Sequence, residues 1–270
     1  DFRTVQRDER DAVREFDEDS FVGFHAARVP GRAGSDLACH TSTGAAGAGH
    51  AAKGANITSM RTAYHEALEQ ARLDVVRLGA LVADALAVAV VSLEKRDTNL
   101  AARVVAGDDV VDDLRRQVEA ACIELIWKQQ PVAGELRQVA AMLETVTDLE
   151  RIGDYAVDIA KNSIKLADVP LRPARVEIGR IAAIALEMVR DVMRGYTEGD
   201  ATLAELVITR DDEVDLLYHR GIEALQEEMQ SDSGLVRAGT IMLFVLATLE
   251  RVGDRAQNIA WHTKEMLGAT

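Results

Sequence analysis

Cysteine, proline and aromatic side chains are all scarce in this chain, and each shortage excludes something. Two cysteines, Cys39 and Cys122, supply neither a disulfide framework nor the ligand spacing of a zinc site, so a reducing compartment is expected. Four prolines in 270 residues leave long stretches free to be helical. Aromatics make up 4% of the residues, so a core has to be built from Ala, Val, Leu and Ile. Long apolar runs are missing too. The most apolar, Leu78 to Leu93, spans about sixteen residues and carries Asp84, too short and too polar to cross a bilayer. No basic segment followed by an apolar stretch opens the chain, which speaks against a secretory signal and makes the cytoplasm the expected location. Basic side chains are also short: 31 Lys and Arg face 45 Asp and Glu, a net charge of −14. A nucleic-acid binder needs a basic face for phosphates, and that class is excluded.

What is present is a hydrophobic share of 48%, ample for a core and incompatible with a disordered or collagen-like chain. The acid excess fits a soluble protein that meets cations or basic partner surfaces. Residues 1–59 differ from the rest. Mixed charge from Asp1 to Phe24 gives way to a Gly/Ala-rich stretch from Gly44 to Ala55, with no sustained period. That composition cannot offset the entropy of ordering, so 1–59 reads as a disordered or non-native extension, with a small subdomain as the alternative. His25, His40 and His50 lie there and receive no role. From Met60 onward, Ala, Leu, Glu and Arg favour helix. Breaks fall at Asp97 (an N-cap), at Pro131, placed in a first turn, between Asp168 and Pro173, at Asp200 (another cap) and at Ser231 to Gly234. Six long helices follow, at about 62–95, 98–128, 131–167, 173–196, 200–229 and 234–267. Short connections imply antiparallel neighbours and an all-α bundle.

An internal duplication organises that bundle. Leu149-Glu150-Arg151-Ile152-Gly153-Asp154 recurs one hundred residues later as Leu249-Glu250-Arg251-Val252-Gly253-Asp254. Flanking identities extend the match: Arg137, Met142 and Leu143 pair with Arg237, Met242 and Leu243, and Ala156, Ile159 and Ala160 with Ala256, Ile259 and Ala260. One helix earlier, Asp108-Asp109-Val110-Val111-Asp112 resembles Asp211-Asp212-Glu213-Val214-Asp215. The chain therefore divides into 1–59, a first three-helix repeat at 60–169 and a second at 170–270.

Helix geometry says what the repeated acids can do. Glu150, Asp154 and Asp158 are spaced i, i+4, i+8, as are Glu250, Asp254 and Asn258. Each step of four turns about 40° and climbs about 6 Å, so every trio forms one slanting stripe. Asp108 with Asp112, and Asp211 with Asp215, make the matching pairs on the preceding helices. Adjacent helices with such stripes crowd four or more carboxylates together, and a cation is the natural remedy. Oxygen donors suit hard ions, Mg²⁺, Mn²⁺ or Fe; His219 and His262 at the stripe edges would also admit Ni or Zn, although each reads more simply as a solvated helix residue. Taken singly, a stripe reads as a solvated acidic face neutralised by Arg151 or Arg251; four in duplicated positions favour metal binding. A mid-helix glycine costs about 1 kcal/mol against Ala, so Gly153 and Gly253 mark close helix approach or room for a ligand.

The paired Leu-Glu-Arg-(Ile/Val)-Gly-Asp motifs, the repeated Asp-x-x-x-Asp pairs and Gln129-Gln130-Pro131-Val132-Ala133 together resemble the signature of the PhoU family of phosphate-transport accessory proteins. The resemblance covers about residues 60–270 and leaves 1–59 without a counterpart. It implies two three-helix bundles side by side, with multinuclear clusters of divalent or trivalent metal. By matching position the first cluster would use Asp108, Asp112, Glu150, Asp154 and Asp158, and the second Asp211, Asp215, Glu250, Asp254 and Asn258. Asn258 makes the second set one charge poorer, so weaker or different loading is expected there. The resemblance further implies an adaptor, with no catalytic residues of its own, that links the ATPase subunit of a phosphate ABC transporter to a membrane sensor histidine kinase. Such an adaptor restrains uptake, keeps phosphate-starvation genes off, meets the membrane only through its partners and forms a homodimer.

Two other readings stay open. A ferritin-like di-iron enzyme needs Glu-x-x-His on two helices, and the residues three before His65, His219 and His262 are Thr62, Leu216 and Ile259. No Gly-rich phosphate loop or Ser/His/Asp constellation is visible, and Cys122 sits in an apolar helical run that suits a core position. The other is a plain helical scaffold.

Overall fold

The computed structural model describes residues 49–129, 131, 133–169 and 178–269. The extension read at 1–59 lies outside the described residues up to position 48. Six long helices are described: α1 (Gly49–Lys95), α2 (Thr98–Gln129), α3 (Ala133–Leu166), α4 (Ile178–Glu198), α5 (Ala201–Ser231) and α6 (Val236–Leu267). A 3₁₀ turn, Ser233–Leu235, precedes α6, and no strand occurs among the described residues. Two boundaries correct the sequence reading. Helix α1 begins at Gly49, inside the stretch expected to lack helix, because Ala51, Ala52, Lys53 and Ala55 have strong helix propensity and the glycines interrupt it only singly. Pro131 stands ahead of α3, not in its first turn.

Burial follows the helical period and repeats with the duplication. On α3 the buried positions include Met142, Val146, Leu149, Ile152, Ala156, Ile159 and Ala160; on α6 they include Met242, Leu246, Leu249, Val252, Ala256, Ile259 and Ala260. Helix α4 is buried at Ile178, Ile181, Ala182, Ala185, Met188, Val189, Val192, Met193 and Tyr196, an apolar stripe of three- and four-residue spacing. Cys122 is buried and free, a core residue whose thiol burial pushes up to about 11, foremost by desolvation. Helix α2 packs on α3, α5 on α6, and α4 on both α5 and α6. A seam between α3 and α6 joins the repeats. Its direction is read from two contacts: Asp148 meets Arg255 while Glu144 meets His262, so the helices run antiparallel.

Helix α1 is tied to the others by polar contacts. Ser163 Oγ donates to the Ser92 carbonyl (2.8 Å), and Arg72 Nη2 donates to the carbonyls of Tyr196 (3.1 Å) and Thr197 (2.9 Å) at the end of α4. From Arg61 to Lys95 this helix is long and apolar enough, by length and composition, to cross a membrane, which corrects the shorter run read from sequence. The physical reason for its apolar character is packing: 61% of its most apolar stretch is buried inside the protein. Asp84, in that stretch, has its carboxyl raised by burial and held down in part by Arg190 of α4.

The duplication reaches into the turns. Asp97 caps α2 by accepting from the N–H groups of Asn99 (2.9 Å) and Leu100 (3.1 Å), and Asp200 caps α5 by accepting from those of Thr202 (2.8 Å) and Leu203 (3.4 Å). In each turn the capping residue's own N–H bonds a carbonyl five residues back, Asp97 to Ser92 and Asp200 to Gly195, both at 2.9 Å. The residue before each cap is left-handed: Gly199 at φ 69° and Arg96 at φ 54°. Arg96 bears a conformation that L side chains adopt reluctantly, and its guanidinium donates to the Val169 carbonyl (2.9 Å). A Cβ at Gly199 would find only ordinary contact, 3.5 Å from Leu267 Cδ2, so its requirement for glycine is conformational. Gly199→Ala should cost about 1 kcal/mol in urea unfolding. Arg96→Gly should change stability by less, because relief of the backbone is offset by loss of the hydrogen bond to Val169.

Candidate metal centres

Each repeat brings its acids to one helix pair. In the first, α2 presents Asp108 and Asp112 to Glu150 and Asp154 of α3. The Asp108 carboxyl is pushed up by burial first, then by the charges of Asp154 and Asp112, with Lys161 opposing. Glu150 is raised by burial and then by Asp154, with Arg151 and Arg115 opposing and Asp112 adding to the rise. Arg151 flanks the group, 3.3 Å from Asp154 Oδ2 and 3.6 Å from Glu150 Oε2, and Arg116 lies 3.4 Å from Asp112 Oδ2. These arginines sit on the solvent side, so the expected neutralising role of Arg151 is real but peripheral.

The second repeat repeats the arrangement, with Asp211 alone set more deeply than its counterpart. Asp211 and Asp215 of α5 meet Glu250 and Asp254 of α6. Asp211 is only 7% exposed, and its carboxyl is pushed up to about 6 by burial, then by Asp254, Asp215 and Glu250. Glu250 is raised by burial, Asp254 and Asp215, with Arg251 and His219 opposing; Asp254 is raised by burial and Asp215, with Arg255 and Arg251 opposing. The recurrent glycine has a local reason here. A Cβ at Gly253 would stand 2.9 Å from Asp211 Oδ1 and 3.4 Å from Val214, so the α5 carboxylate would have to give way to any larger residue there. At Gly153 the corresponding neighbour is Val111, at 3.2 Å.

Four of the five acids expected in the first set, and four of the five ligands expected in the second, are therefore electrostatic neighbours across their helix pairs. Asp158 is exposed and Asn258 half-buried. The Asp-to-Asn difference lies at the edge of the stripe, away from the crowded centre. All-oxygen donors, mutual repulsion in a partly desolvated seam and a glycine cradle beneath Asp211 fit a hard cation. No three of these carboxylates bring one oxygen each within 4.8 Å of one another.

His262 departs from its sequence reading. It does not sit solvated at the end of a stripe; its side chain is 20% exposed and faces α3, with Nε2 3.1 Å from Asp148 Oδ2 and Nδ1 3.1 Å from Glu144 Oε2. Burial alone would lower its pKa, but the Asp148 hydrogen bond and the Glu144 and Asp148 charges outweigh it and hold the imidazole above its ordinary value. The reason for the departure is accumulated turn: three steps of four from Glu250 rotate by about 120°, carrying position 262 from the α5 side to the α3 side. Asn162, the equivalent position on α3, is buried. Asp148 and Glu144 carry no repeat signal, since Thr248 and Phe244 occupy their equivalents, and self-comparison passes over them.

A raised carboxyl works against the folded state. Between the ordinary value of 3.8 and about 6, the folded chain holds a proton on Asp211 that the unfolded chain has released. This contribution to metal-free stability therefore falls as pH rises through that window. Asp211→Asn should leave stability nearly unchanged at pH 4 and raise it at pH 7, checked by urea unfolding in chelator; an equal effect at both pH values would show that Asp211 is not strained.

Comparison with known proteins agrees with the geometry. The PhoU domain model matches residues 75–163 and again 178–262, one match per repeat. The phosphate-specific transport system accessory protein PhoU homolog of Clostridium acetobutylicum is 35% identical over 204 residues, covering 75% of this chain and 93% of that protein. Its namesake PhoU in Escherichia coli is 31% identical over 196 residues, covering 73% and 81% respectively. The crystal structure of PhoU from Pseudomonas aeruginosa superposes with a TM-score of 0.74 at 30% identity, covering 77% of this chain and 100% of that one. With a doubled domain match, doubled carboxylate seams and the same fold, this chain belongs to the PhoU family.

Proposed function

We propose that the chain is a regulatory accessory protein of a phosphate-specific transport system, acting as a metal-loaded adaptor and not as an enzyme. Its relatives carry that accessory role in their names. The observation that carries the metal reading is the doubled set of four carboxylates, each raised or crowded by its neighbours. Asp108, Asp112, Glu150 and Asp154 would hold one cluster, with Asp158 at its edge; Asp211, Asp215, Glu250 and Asp254 would hold the other, with Asn258 at its edge. Fe, Mn or Mg suits these oxygen donors best, and Zn or Ni is the second choice. Bound cations supply positive charge that cancels the repulsion and stiffens the α2/α3 and α5/α6 pairs.

What the chain contributes is a rigid surface. With its helix pairs locked, it would dock on the transporter's ATPase subunit and on a sensor histidine kinase in the cytoplasm, as a homodimer peripheral to the membrane. It would hold the kinase in the state that represses the starvation response while phosphate is ample. A net charge of −14 suits basic partner surfaces and repels nucleic acid.

The test is co-purification from native membranes with simultaneous elemental analysis. Wild-type protein should carry metal and bring transporter and kinase with it. Asp154→Ala and Asp254→Ala should each strip the metal of one seam, and the double variant should lose partner association by at least about tenfold. Undiminished association in metal-free protein would sink the adaptor mechanism. Protein without metal would favour a plain scaffold, and rapid oxidation of added Fe²⁺ would revive the enzyme reading.

A further inference from the structure

The seam between the repeats carries a second kind of donor set. Glu144 of α3 and His262 and Glu265 of α6 each bring one ligand atom within 4.8 Å of the others. This is the one such group among the described residues, and it is separate from both stripes. We propose that Glu144, His262 and Glu265 form a mononuclear site for a borderline divalent transition ion, of which Zn²⁺ is the representative, that clips the first repeat to the second.

Three observations carry this beyond a chance cluster of acids. The first concerns the imidazole itself. His262 Nδ1 is fully buried and makes no hydrogen bond, although Glu144 Oε2 lies 3.1 Å away. Glu144 Oε2 stands at ion-pair distance but outside hydrogen-bond direction, a position that a shared cation can use. The second is the other ring nitrogen. Nε2 lies 3.1 Å from Asp148 Oδ2, and an ionised carboxylate only accepts, so Nε2 carries the hydrogen; in the neutral ring Nδ1 is then the nitrogen available to a cation beside Glu144. Asp148 is 8% exposed and is held in turn by Arg255 Nη1 at 3.1 Å. A carboxylate that orients an imidazole whose far nitrogen faces further donors is the supporting arrangement metal-bound histidines need.

The third observation is asymmetry. The duplication would generate a mate to this site from Phe244, Thr248, Asn162 and Lys165. That mate offers a phenyl ring and an ammonium where the real site offers two carboxylates, and Lys165 Nζ donates to Asn162 Oδ1 at 3.1 Å. The Glu-His-Glu group is therefore no by-product of the repeated motif. One nitrogen and two carboxylate oxygens, with Glu144 56% exposed at the rim, leave an open coordination position toward water and an entry path for the ion. This inference does not rest on the stripes: it concerns other residues, another helix seam and a softer donor.

The full chain, stripped with chelator, should be titrated with Zn²⁺ by calorimetry and with Co²⁺ by visible absorption. Wild type should take up about one Zn²⁺ more than Glu144→Gln or His262→Gln, or bind it at least about tenfold more tightly. Both variants should lose the Co²⁺ band that an imidazole ligand shapes, and Asp154→Ala and Asp254→Ala should keep it. Glu144→Gln leaves the His262–Asp148 pair intact and alters a side chain mostly in water, so its result stands even where His262→Gln is destabilised. Wild-type Zn²⁺ stoichiometry, affinity and Co²⁺ spectrum in Glu144→Gln would overturn the site. Loss of the band in Asp154→Ala and Asp254→Ala, with retention in Glu144→Gln, would place the softer ion on the stripes and overturn it equally.

Discussion

Like charge is forced together at two helix seams, and the rest of the architecture is what makes that possible. Asp108, Asp112, Glu150 and Asp154 in one repeat, and Asp211, Asp215, Glu250 and Asp254 in the other, would separate if their helices were free. The same helices are apolar on their other faces: Leu149, Ile152, Ala156 and Ile159 on α3 and Leu249, Val252, Ala256 and Ile259 on α6 are fully buried. Burying each larger aliphatic side chain stabilises by about 1.5–3 kcal/mol. Like charges at i, i+4 cost a few tenths of a kcal/mol per pair. Packing wins by a wide margin, and the carboxylates are held under a strain that bound cations would relieve.

Glycine sets how closely they are held. Gly253 lets Asp211 lie against the α6 backbone, which is why Asp211 is the most perturbed acid of the set. In the first repeat the same glycine faces Val111, and Asp108 stays half-buried. The second seam is one charge poorer on paper, yet its central carboxylate is the more deeply desolvated. Counting acids along a stripe leaves out how far each one is removed from water.

The two repeats share a plan and differ where they meet. The antiparallel α3/α6 seam lies between equivalent helices, and a perfectly duplicated sequence would make its two ends alike. At one end stand Glu144, Asp148, Arg255, His262 and Glu265; at the other stand Phe244, Thr248, Tyr155, Asn162 and Lys165. Divergence has concentrated ionisable groups at one end, where Asp148 organises both Arg255 and His262.

The helices, their caps at Asp97 and Asp200, the duplication and the carboxylate stripes were legible in the sequence, because all depend on short-range rules. Propensity and capping act over a few residues, and spacing by four places side chains on one face of a single helix whatever surrounds it. The start of α1 was misplaced because Ala-rich composition resembles low complexity and helix alike. The centre of each acidic group was legible; Asp158 and Asn258 end the stripes, where two steps of four have already turned about 80° from Glu150 and Glu250. His262 marks the same limit more sharply. Its spacing assigns it to a stripe, yet the 40° slip at each step accumulates until the side chain faces another helix. Sequence alone determined which residues share a helix face over one or two turns. Which helix that face meets, and so which acids surround His262, only the packing of α3 against α6 decided.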